Sequence, residues 1–281
     1  MAKVLIIGCG AIGTELGNQL AEKGHSVTGL KRNPPTTADH KFKFIAADIS
    51  ASKALDRLNM DFEYVFFIVS PNERSEKSYR DLYGIGLNNV LDHFDNQHQP
   101  KWFFVSSTSV YGQNQGEWVD EESAAEPDNV CSQFIRNAEL QLINLNGGNT
   151  VVRFSGIYGP GREYLLRMAK QSPIIQKAPP YYTNRIHQQD CVGVLVFLLE
   201  QRLAGVVLNS CYLASDDDPA TMWDVITWLT QQLQCPAPTE KTEASEQEMN
   251  KRCNNSRLKA LGYQFLFPSY KDGYQALIDK K

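Results

Sequence analysis

The chain has 281 residues, of which 42% are hydrophobic and 21% are charged, and its formal net charge at pH 7 is -4. This length allows one substantial core with a smaller appended region, and the composition excludes a disordered or fibrous protein. The slightly acidic balance offers no basic surface for a phosphate backbone or an anionic lipid, so we expect neither a nucleic-acid nor a membrane partner.

Short apolar runs alternate along the chain with segments of helix length. The runs are mostly continuous in apolar character, which is typical of parallel strands that helices cover on both faces. The sequence therefore predicts an α/β protein with a doubly wound parallel sheet. The predicted strands are residues 4–7, 26–30, 42–46, 64–69, 102–106, 150–154 and 206–209.

A glycine-rich loop, residues 8–13 with the sequence GCGAIG, directly follows the first predicted strand and opens a helical pattern. In a dinucleotide-binding loop, Gly8 permits the tight turn, Gly10 lets the main chain approach a pyrophosphate, and Gly13 lets helix and strand pack closely. The flanking strand and helix supply the context that this motif requires. We predict dinucleotide contacts from Gly8, Gly10, Ala11, Ile12 and Gly13; a tight turn without a ligand is the alternative.

The end of the second predicted strand carries two cations, Lys31 and Arg32, where an NAD-binding protein usually offers a carboxylate to the ribose. Cations can pair with a 2′-phosphate that a carboxylate would repel, so the sequence favours NADP(H), with NAD(H) as the alternative cofactor. An ordinary pair of solvated surface cations would also explain these residues.

Three more residues at strand ends are candidate contacts to the cofactor. Asp48 follows the third predicted strand and is expected either to accept a hydrogen bond from the adenine amino group or to cap the next helix. Val69 and Ser106 end the fourth and fifth predicted strands.

Three segments carry a resemblance to a known family: residues 105–112 (VSSTSVYG), 152–161 (VRFSGIYGPG) and 184–190 (NRIHQQD). With the glycine loop, the chain resembles the extended, epimerase/dehydratase-like branch of the short-chain dehydrogenase/reductase superfamily, in an atypical subgroup, over nearly its whole length. The resemblance implies a Rossmann domain over residues 1–159, to which residues 184–203 return, and a smaller C-terminal substrate-binding region over residues 160–281. The apolar helix 192–199 is expected to be buried.

The resemblance also implies where catalytic groups belong. The family's Ser or Thr, four residues before the Tyr of the Val-Tyr-Gly triplet, corresponds to Ser107. The family's Tyr and Lys, one helical turn apart, correspond to Cys131 and Ile135, or after a slip of one residue to Ser132 and Arg136. Neither pair reproduces the chemistry, because a serine hydroxyl titrates far above a useful pH and a thiol is a poor mimic of a phenol.

Tyrosine or histidine side chains elsewhere are alternative proton donors. Tyr111 is the first candidate, although an aromatic residue at such a place also serves as a pocket wall. Tyr158 lies in a Tyr-Gly-Pro turn that turn chemistry alone explains, and His187 precedes a helix, where a capping or packing role is expected. The pair Ser132 and Arg136 is a further candidate to replace the missing Tyr and Lys.

Two functions follow from these residues. The first is an NAD(P)-dependent epimerase/dehydratase-like oxidoreductase that acts on a carbinol or ketone of a small molecule or nucleotide sugar. The second is a catalytically impaired NADP(H)-binding sensor or regulatory protein that lost the Tyr and Lys. The six scattered cysteines predict no metal site, and the lack of a signal or transmembrane stretch favours a cytoplasmic location. We expect a small-molecule substrate as the partner and a monomer or homodimer as the oligomeric state.

Overall fold

The computed structural model describes residues 1–35, 40–56, 58, 61–94, 99–145, 147–242 and 249–280. A seven-stranded parallel sheet is its central feature, with the strand order β12-β7-β5-β4-β1-β2-β3. Its strands are β1 (Lys3–Ile7), β2 (Ser26–Lys31), β3 (Lys43–Ala46), β4 (Tyr64–Phe67), β5 (Lys101–Ser107), β7 (Thr150–Phe154) and β12 (Cys211–Ala214).

The predicted fold class is confirmed, and six of the seven predicted strands coincide with strands of the sheet. The prediction of a strand at 206–209 is wrong, because the last strand is Cys211–Ala214. The two valines that suggested it are exposed to solvent, Val207 to 92% of its surface, whereas all four residues of Cys211–Ala214 are buried. Apolar character alone therefore misplaced this strand by about one strand length.

Nine α-helices accompany the strands in the part of the chain that the structure describes. They are α1 (Ala11–Glu22), α2 (Glu76–Tyr79), α3 (Leu87–His93), α4 (Val130–Leu145), α5 (Tyr164–Ala169), α6 (Gln188–Leu203), α7 (Met222–Gln232), α8 (Ser256–Ala260) and α9 (Tyr270–Ile278). A π-helix, Arg80–Gly86, joins α2 to α3 without a break, and short 3-10 helices cover Ser52–Leu55 and Thr108–Val110. Nearly all of the apolar side chains at 192–199 are buried, as predicted.

The chain divides into two compact units. Unit 1 comprises Met1–Val110, Glu126–Val152 and Val192–Cys211, and unit 2 comprises Tyr111–Ala125, Arg153–Cys191 and Tyr212–Lys281. We predict that residues 1–159 bind the nucleotide and that residues 160–281 bind the substrate. These two roles stay predictions.

In its described residues, unit 2 has its own small core and four two-stranded ribbons. Aromatic and aliphatic side chains of α5, α7 and α9, among them Leu166, Val225, Leu229 and Tyr274, form the core. The ribbons pair β6 (Glu117–Val119) with β15 (Lys251–Cys253), β8 (Gly156–Tyr158) with β11 (Arg185–His187), β9 (Ile174–Ile175) with β14 (Thr239–Glu240), and β10 (Tyr182–Thr183) with β13 (Ala220–Thr221). No helix among the described residues has the length and apolar character to cross a membrane.

Candidate functional site

The glycine loop connects β1 to α1 with the geometry that the sequence predicts. Gly8 has a φ of 95°, and a Cβ there would clash with the main-chain oxygen of Ile68, so the turn requires glycine. A Cβ at Gly13 would lie 2.5 Å from the Gly8 oxygen, which shows how closely α1 approaches the loop. By contrast, apart from its two chain neighbours, no atom of the described residues lies within 4 Å of a Cβ built on Gly10. Of the three loop glycines, Gly10 is therefore the one with room for a side chain.

Gly10 lines a pocket of about 260 Å³ in unit 1. The carboxyl ends of parallel strands meet at one edge of a sheet, and the ends of β1 and β2 line this pocket together with the residues that follow β3 and β4. The volume lies just below the range of about 300 to 1,000 Å³ typical of whole small-molecule sites, so it suits one part of a dinucleotide. The predicted residues that line it are Gly8, Gly10, Lys31, Arg32, Asp48 and Val69.

The other predicted cofactor residues lie outside this lining. Ala11, Ile12 and Gly13 form the first turn of α1, whose amino end adjoins the loop. The hydroxyl of Ser106 donates to Glu139 Oε1 at 2.5 Å. The Ser106 hydroxyl can therefore accept a hydrogen bond from a cofactor but can donate one only if the bond to Glu139 breaks.

Asp48 does not cap a helix. Its Oδ1 accepts hydrogen bonds from the amide of Ser50 at 2.9 Å and from the Ser50 hydroxyl at 2.7 Å. The next helix, Ser52–Leu55, starts after Ala51 and has no side-chain cap. The capping alternative is therefore wrong, and Asp48 closes a turn at the edge of the pocket.

Several pocket residues were missed by the sequence analysis. Asn33, Ser70 and Asn72 follow strand ends, and their polar side chains directly after apolar runs are a signal that could have identified them. Ile49 and Leu82 also line the pocket, but nothing in the sequence separates them from ordinary core residues. A more open groove adjoins the pocket and shares Arg32, Asn33, Asp48 and Asn72 with it.

The Cys9 thiol at the centre of the loop is buried and donates to the Ile6 carbonyl at 3.5 Å. Burial raises the pKa of this thiol to about 12, so it is protonated and unreactive at neutral pH. No three His, Cys, Asp or Glu side chains in the described ranges could hold a metal ion together.

Hydrogen bonds to the main chain and side chain of Ser109 connect two of the predicted catalytic residues in unit 1. Ser107 Oγ accepts the amide hydrogen of Ser109 at 3.1 Å, and the Ser132 hydroxyl donates to Ser109 Oγ at 3.0 Å. Ser132 is buried in the first turn of α4, where its amide donates to Asn129 Oδ1. The structure thus brings Ser107 and Ser132 together through Ser109, a residue that the sequence analysis did not single out.

The cation of the alternative pair, Arg136, is bound elsewhere. Its Nη1 lies 2.8 Å from Oε2 of Glu139, a carboxylate with no exposed surface that also accepts from Ser106. An arginine that neutralises a buried carboxylate is not available to lower the pKa of a neighbouring hydroxyl without leaving that charge unpaired. Ile135, at the family's lysine position, is buried with the apolar side of α4.

Tyr111 lies in unit 2, and its ring is buried. The phenol donates to the Asp120 carbonyl at 2.7 Å and accepts from Arg153 Nη1 at 2.9 Å, with the guanidinium 4.8 Å from the ring centroid. Lys251 Nζ also donates to the Tyr111 carbonyl at 3.2 Å. A role as proton donor would require the phenol to give up the hydrogen bond that it donates to Asp120.

Tyr158 and His187 are packed against each other in unit 2. Their ring centroids are 5.2 Å apart, and the Tyr158 ring also stacks on Tyr274 at 4.5 Å. Burial, with a contribution from Asp216, raises the pKa of the Tyr158 phenol above its ordinary value. His187 Nδ1 accepts the Gln189 amide at the start of α6, which is the packing and capping arrangement that the sequence predicts.

The burial of His187 predicts a specific loss of stability in acid. Burial, followed by the Lys280 charge, lowers the pKa of His187 from 6.5 to about 4. Because the folded-state pKa is the lower one, protonation favours unfolding, so this contribution is present above pH 6.5 and is lost as the pH falls toward 4. We expect wild type to lose more free energy of unfolding than His187→Asn across that window, by about 1 to 3 kcal/mol, in urea unfolding. Parallel pH dependence of the two proteins would contradict this.

Comparison with known proteins identifies the family. Residues 4–203 match the sequence model of the NAD dependent epimerase/dehydratase family. Protein YeeZ of Escherichia coli K12 is 29% identical over 222 residues, which are 75% of this chain and 78% of that protein.

Two solved structures of other proteins match this chain over almost its full length. A Methylobacillus flagellatus protein described as an NAD-dependent epimerase/dehydratase is 33% identical, with a TM-score of 0.84, and the match covers 99% of this chain and 98% of the other. The UDP-glucuronic acid 4-epimerase of Bacillus cereus, solved with NAD, has the same fold at 21% identity, with a TM-score of 0.77 over 98% of this chain and 96% of its own. This chain belongs to the NAD dependent epimerase/dehydratase family.

Proposed function

We propose that the pocket of unit 1 binds the adenosine part of a nicotinamide dinucleotide. The observation that carries this proposal is that Gly10 lines the pocket and, alone among the three glycines of the loop, has open space where a Cβ would stand. A main chain without a side chain at that point can approach a pyrophosphate, and the amino end of α1 favours the negative charge. The NAD bound in the Bacillus cereus relative supports the same ligand class here.

NADP(H) is the proposed preference, because Lys31 and Arg32 both line the pocket at the end of β2. Asn33 and Asn72, which line the pocket and its adjoining groove, add neutral hydrogen-bond donors around the same phosphate. Asp48 Oδ1 is held by Ser50, so this carboxylate sits in a fixed turn at the pocket's edge.

Replacing Lys31 and Arg32 together by alanine should weaken NADPH binding about tenfold or more and leave NADH binding unchanged. Charge-assisted hydrogen bonds to the 2′-phosphate are worth about 1.5 to 3 kcal/mol each, and NADH cannot make them. Calorimetric titration with both cofactors measures the ratio. Lys3→Ala, which removes an exposed cation from the start of β1, is the control. A ratio of the two affinities that changes less than about fivefold would argue against the 2′-phosphate role.

We further propose that the protein is an oxidoreductase that acts on a carbinol or ketone of a small molecule or nucleotide sugar. The nicotinamide supplies the hydride acceptor or donor. Ser107 is the proposed hydrogen-bond donor to the reacting oxygen: its Oγ accepts from the Ser109 amide, and no described residue accepts its own O–H. Residues 160–281 stay the proposed substrate-binding region.

One observation favours a second function, that of an NADP(H) sensor. The described residues offer no phenol and cation pair on α4, since Arg136 binds Glu139 and Ser132 is buried against Ser109. A screen of NADPH oxidation with small ketones, aldehydes and nucleotide sugars separates the two functions. Turnover of any of these substrates supports the enzyme, whereas tight NADPH binding without turnover supports the sensor.

A further inference from the structure

The helix that carries Leu82 to the pocket is interrupted by a π-helix. Residues 76–93 are continuously helical, but the middle segment, Arg80–Gly86, has π rather than α geometry. A π turn holds one more residue than an α turn and changes the direction of the side chains around it, and such turns occur frequently at functional sites. The contacts of this segment with residues that line the pocket indicate the role of its π geometry.

Tyr83, within the π-helix, is bonded to the strand end that lines the pocket. Its hydroxyl donates to the Val69 carbonyl at 3.1 Å. The ring is buried, with its centroid 6.1 Å from that of Phe104 and 6.5 Å from that of Phe67. The tyrosine therefore connects the core of the sheet to a main-chain oxygen of the pocket wall.

A second pair of contacts reaches the loop after β3. A Cβ at Gly86 would lie 2.7 Å from Cδ1 and Cγ1 of Ile49, so the last residue of the π-helix packs directly on that side chain. Asn89, less than one turn further, donates from Nδ2 to the Ile49 carbonyl at 2.8 Å. Ile49 lines the pocket next to Asp48.

We propose that the π-helix and the first turn of α3 set the shape of the dinucleotide pocket, with Tyr83 and Asn89 as positioning residues. Each donates a side-chain hydrogen bond to a carbonyl of a pocket residue, Val69 and Ile49 respectively. Neither needs to touch the ligand, because a carbonyl held in place fixes the loop whose other atoms line the pocket. The ligand named here rests on the proposed function.

The experiment uses two variants and two matched controls. Tyr83→Phe and Asn89→Ala each remove one of the two donors. Tyr79→Phe removes a hydroxyl from the neighbouring ring, 5.8 Å from Tyr83, that has no hydrogen-bond partner among the described residues. Asn88→Ala removes an exposed amide that accepts from Gln141 Nε2, away from the pocket.

Two measurements decide the result. In calorimetric titration, Tyr83→Phe and Asn89→Ala should each weaken NADPH binding about three- to tenfold, the effect of one neutral hydrogen bond, while the controls bind as wild type. In the ligand-free protein, hydrogen exchange should accelerate for the Ile68 amide in Tyr83→Phe and for the Ala51 amide in Asn89→Ala. These amides donate to Ile7 O and Asp48 O and report on the two loops.

The outcomes keep the two proposals apart. Wild type that binds neither NADPH nor NADH refutes the proposed function, while the exchange rates of the free protein still decide whether Tyr83 and Asn89 hold the loops. Wild-type affinity and wild-type local exchange in both variants overturn the positioning role. A uniform acceleration of exchange across unit 1 overturns it as well, because it would show a purely global stabilising effect.

Discussion

Gly10→Val should weaken NADPH binding strongly while the protein stays folded. The substitution is tolerated by the fold for two reasons: Gly10 has a φ of -75°, which any residue adopts, and apart from the two chain neighbours no atom of the described residues lies within 4 Å of the new Cβ. The valine side chain would instead occupy the pocket space where the main chain is proposed to approach the pyrophosphate. We expect the affinity to fall about 100-fold, equivalent to about 2.7 kcal/mol.

The free energy of unfolding distinguishes a specific loss of binding from a loss that follows from unfolding of the protein. Gly10 is also the N-cap of α1, where valine is less favourable than glycine, so unfolding free energy should fall by about 1 kcal/mol. Gly13→Val is the contrasting variant. Its Cβ would lie 2.5 Å from the Gly8 oxygen, so this substitution should destabilise the fold itself. Gly147→Val, at a second open position, should change neither quantity. A folded Gly10→Val protein with wild-type NADPH affinity would refute the dinucleotide site.

The glycine loop and the pocket beside it could be predicted from the sequence because local rules decide them. The spacing of Gly8, Gly10 and Gly13 after an apolar run specifies a strand, a tight turn and a helix. Parallel strands then bring their carboxyl ends to one edge, so Lys31 and Asp48 come together although 17 positions separate them in the chain. No knowledge of side-chain packing was needed for this part.

The catalytic side could not be predicted, because it depends on contacts over long sequence distances. Glu139 is a surface-like residue by its type, yet it is buried, and Ser106, 33 residues away in the chain, donates to it together with the nearby Arg136. These contacts compete with the roles that spacing suggested for Ser106 and Arg136, and those roles stay predictions. Tyr111 is bound in the same way by Arg153, 42 residues away. The π-helix has no sequence signal either, since Gly84 and Gly86 predict only a weakened helix.

The proposed donor Ser107 separates the enzyme from the sensor. If its hydroxyl stabilises the reacting oxygen, Ser107→Ala should lower turnover about 100-fold or more, equivalent to about 2.7 kcal/mol, with NADPH affinity nearly unchanged. Ser107→Thr keeps a hydroxyl at the same place and should retain much of the activity.

A purely structural role for Ser107 makes a different prediction, because its Oγ accepts the Ser109 amide and so supports the turn after β5. Loss of that hydrogen bond alone would lower the melting temperature by a few degrees and leave turnover per folded molecule intact. Melting temperature, NADPH affinity and turnover are therefore measured on wild type, Ser107→Ala and Ser107→Thr with any substrate from the NADPH oxidation screen. Wild-type turnover in a stable Ser107→Ala protein would defeat the catalytic assignment. If wild type binds NADPH tightly and turns over nothing in the screen, the sensor is the function that remains, and Ser107→Ala should then leave the NADPH affinity unchanged.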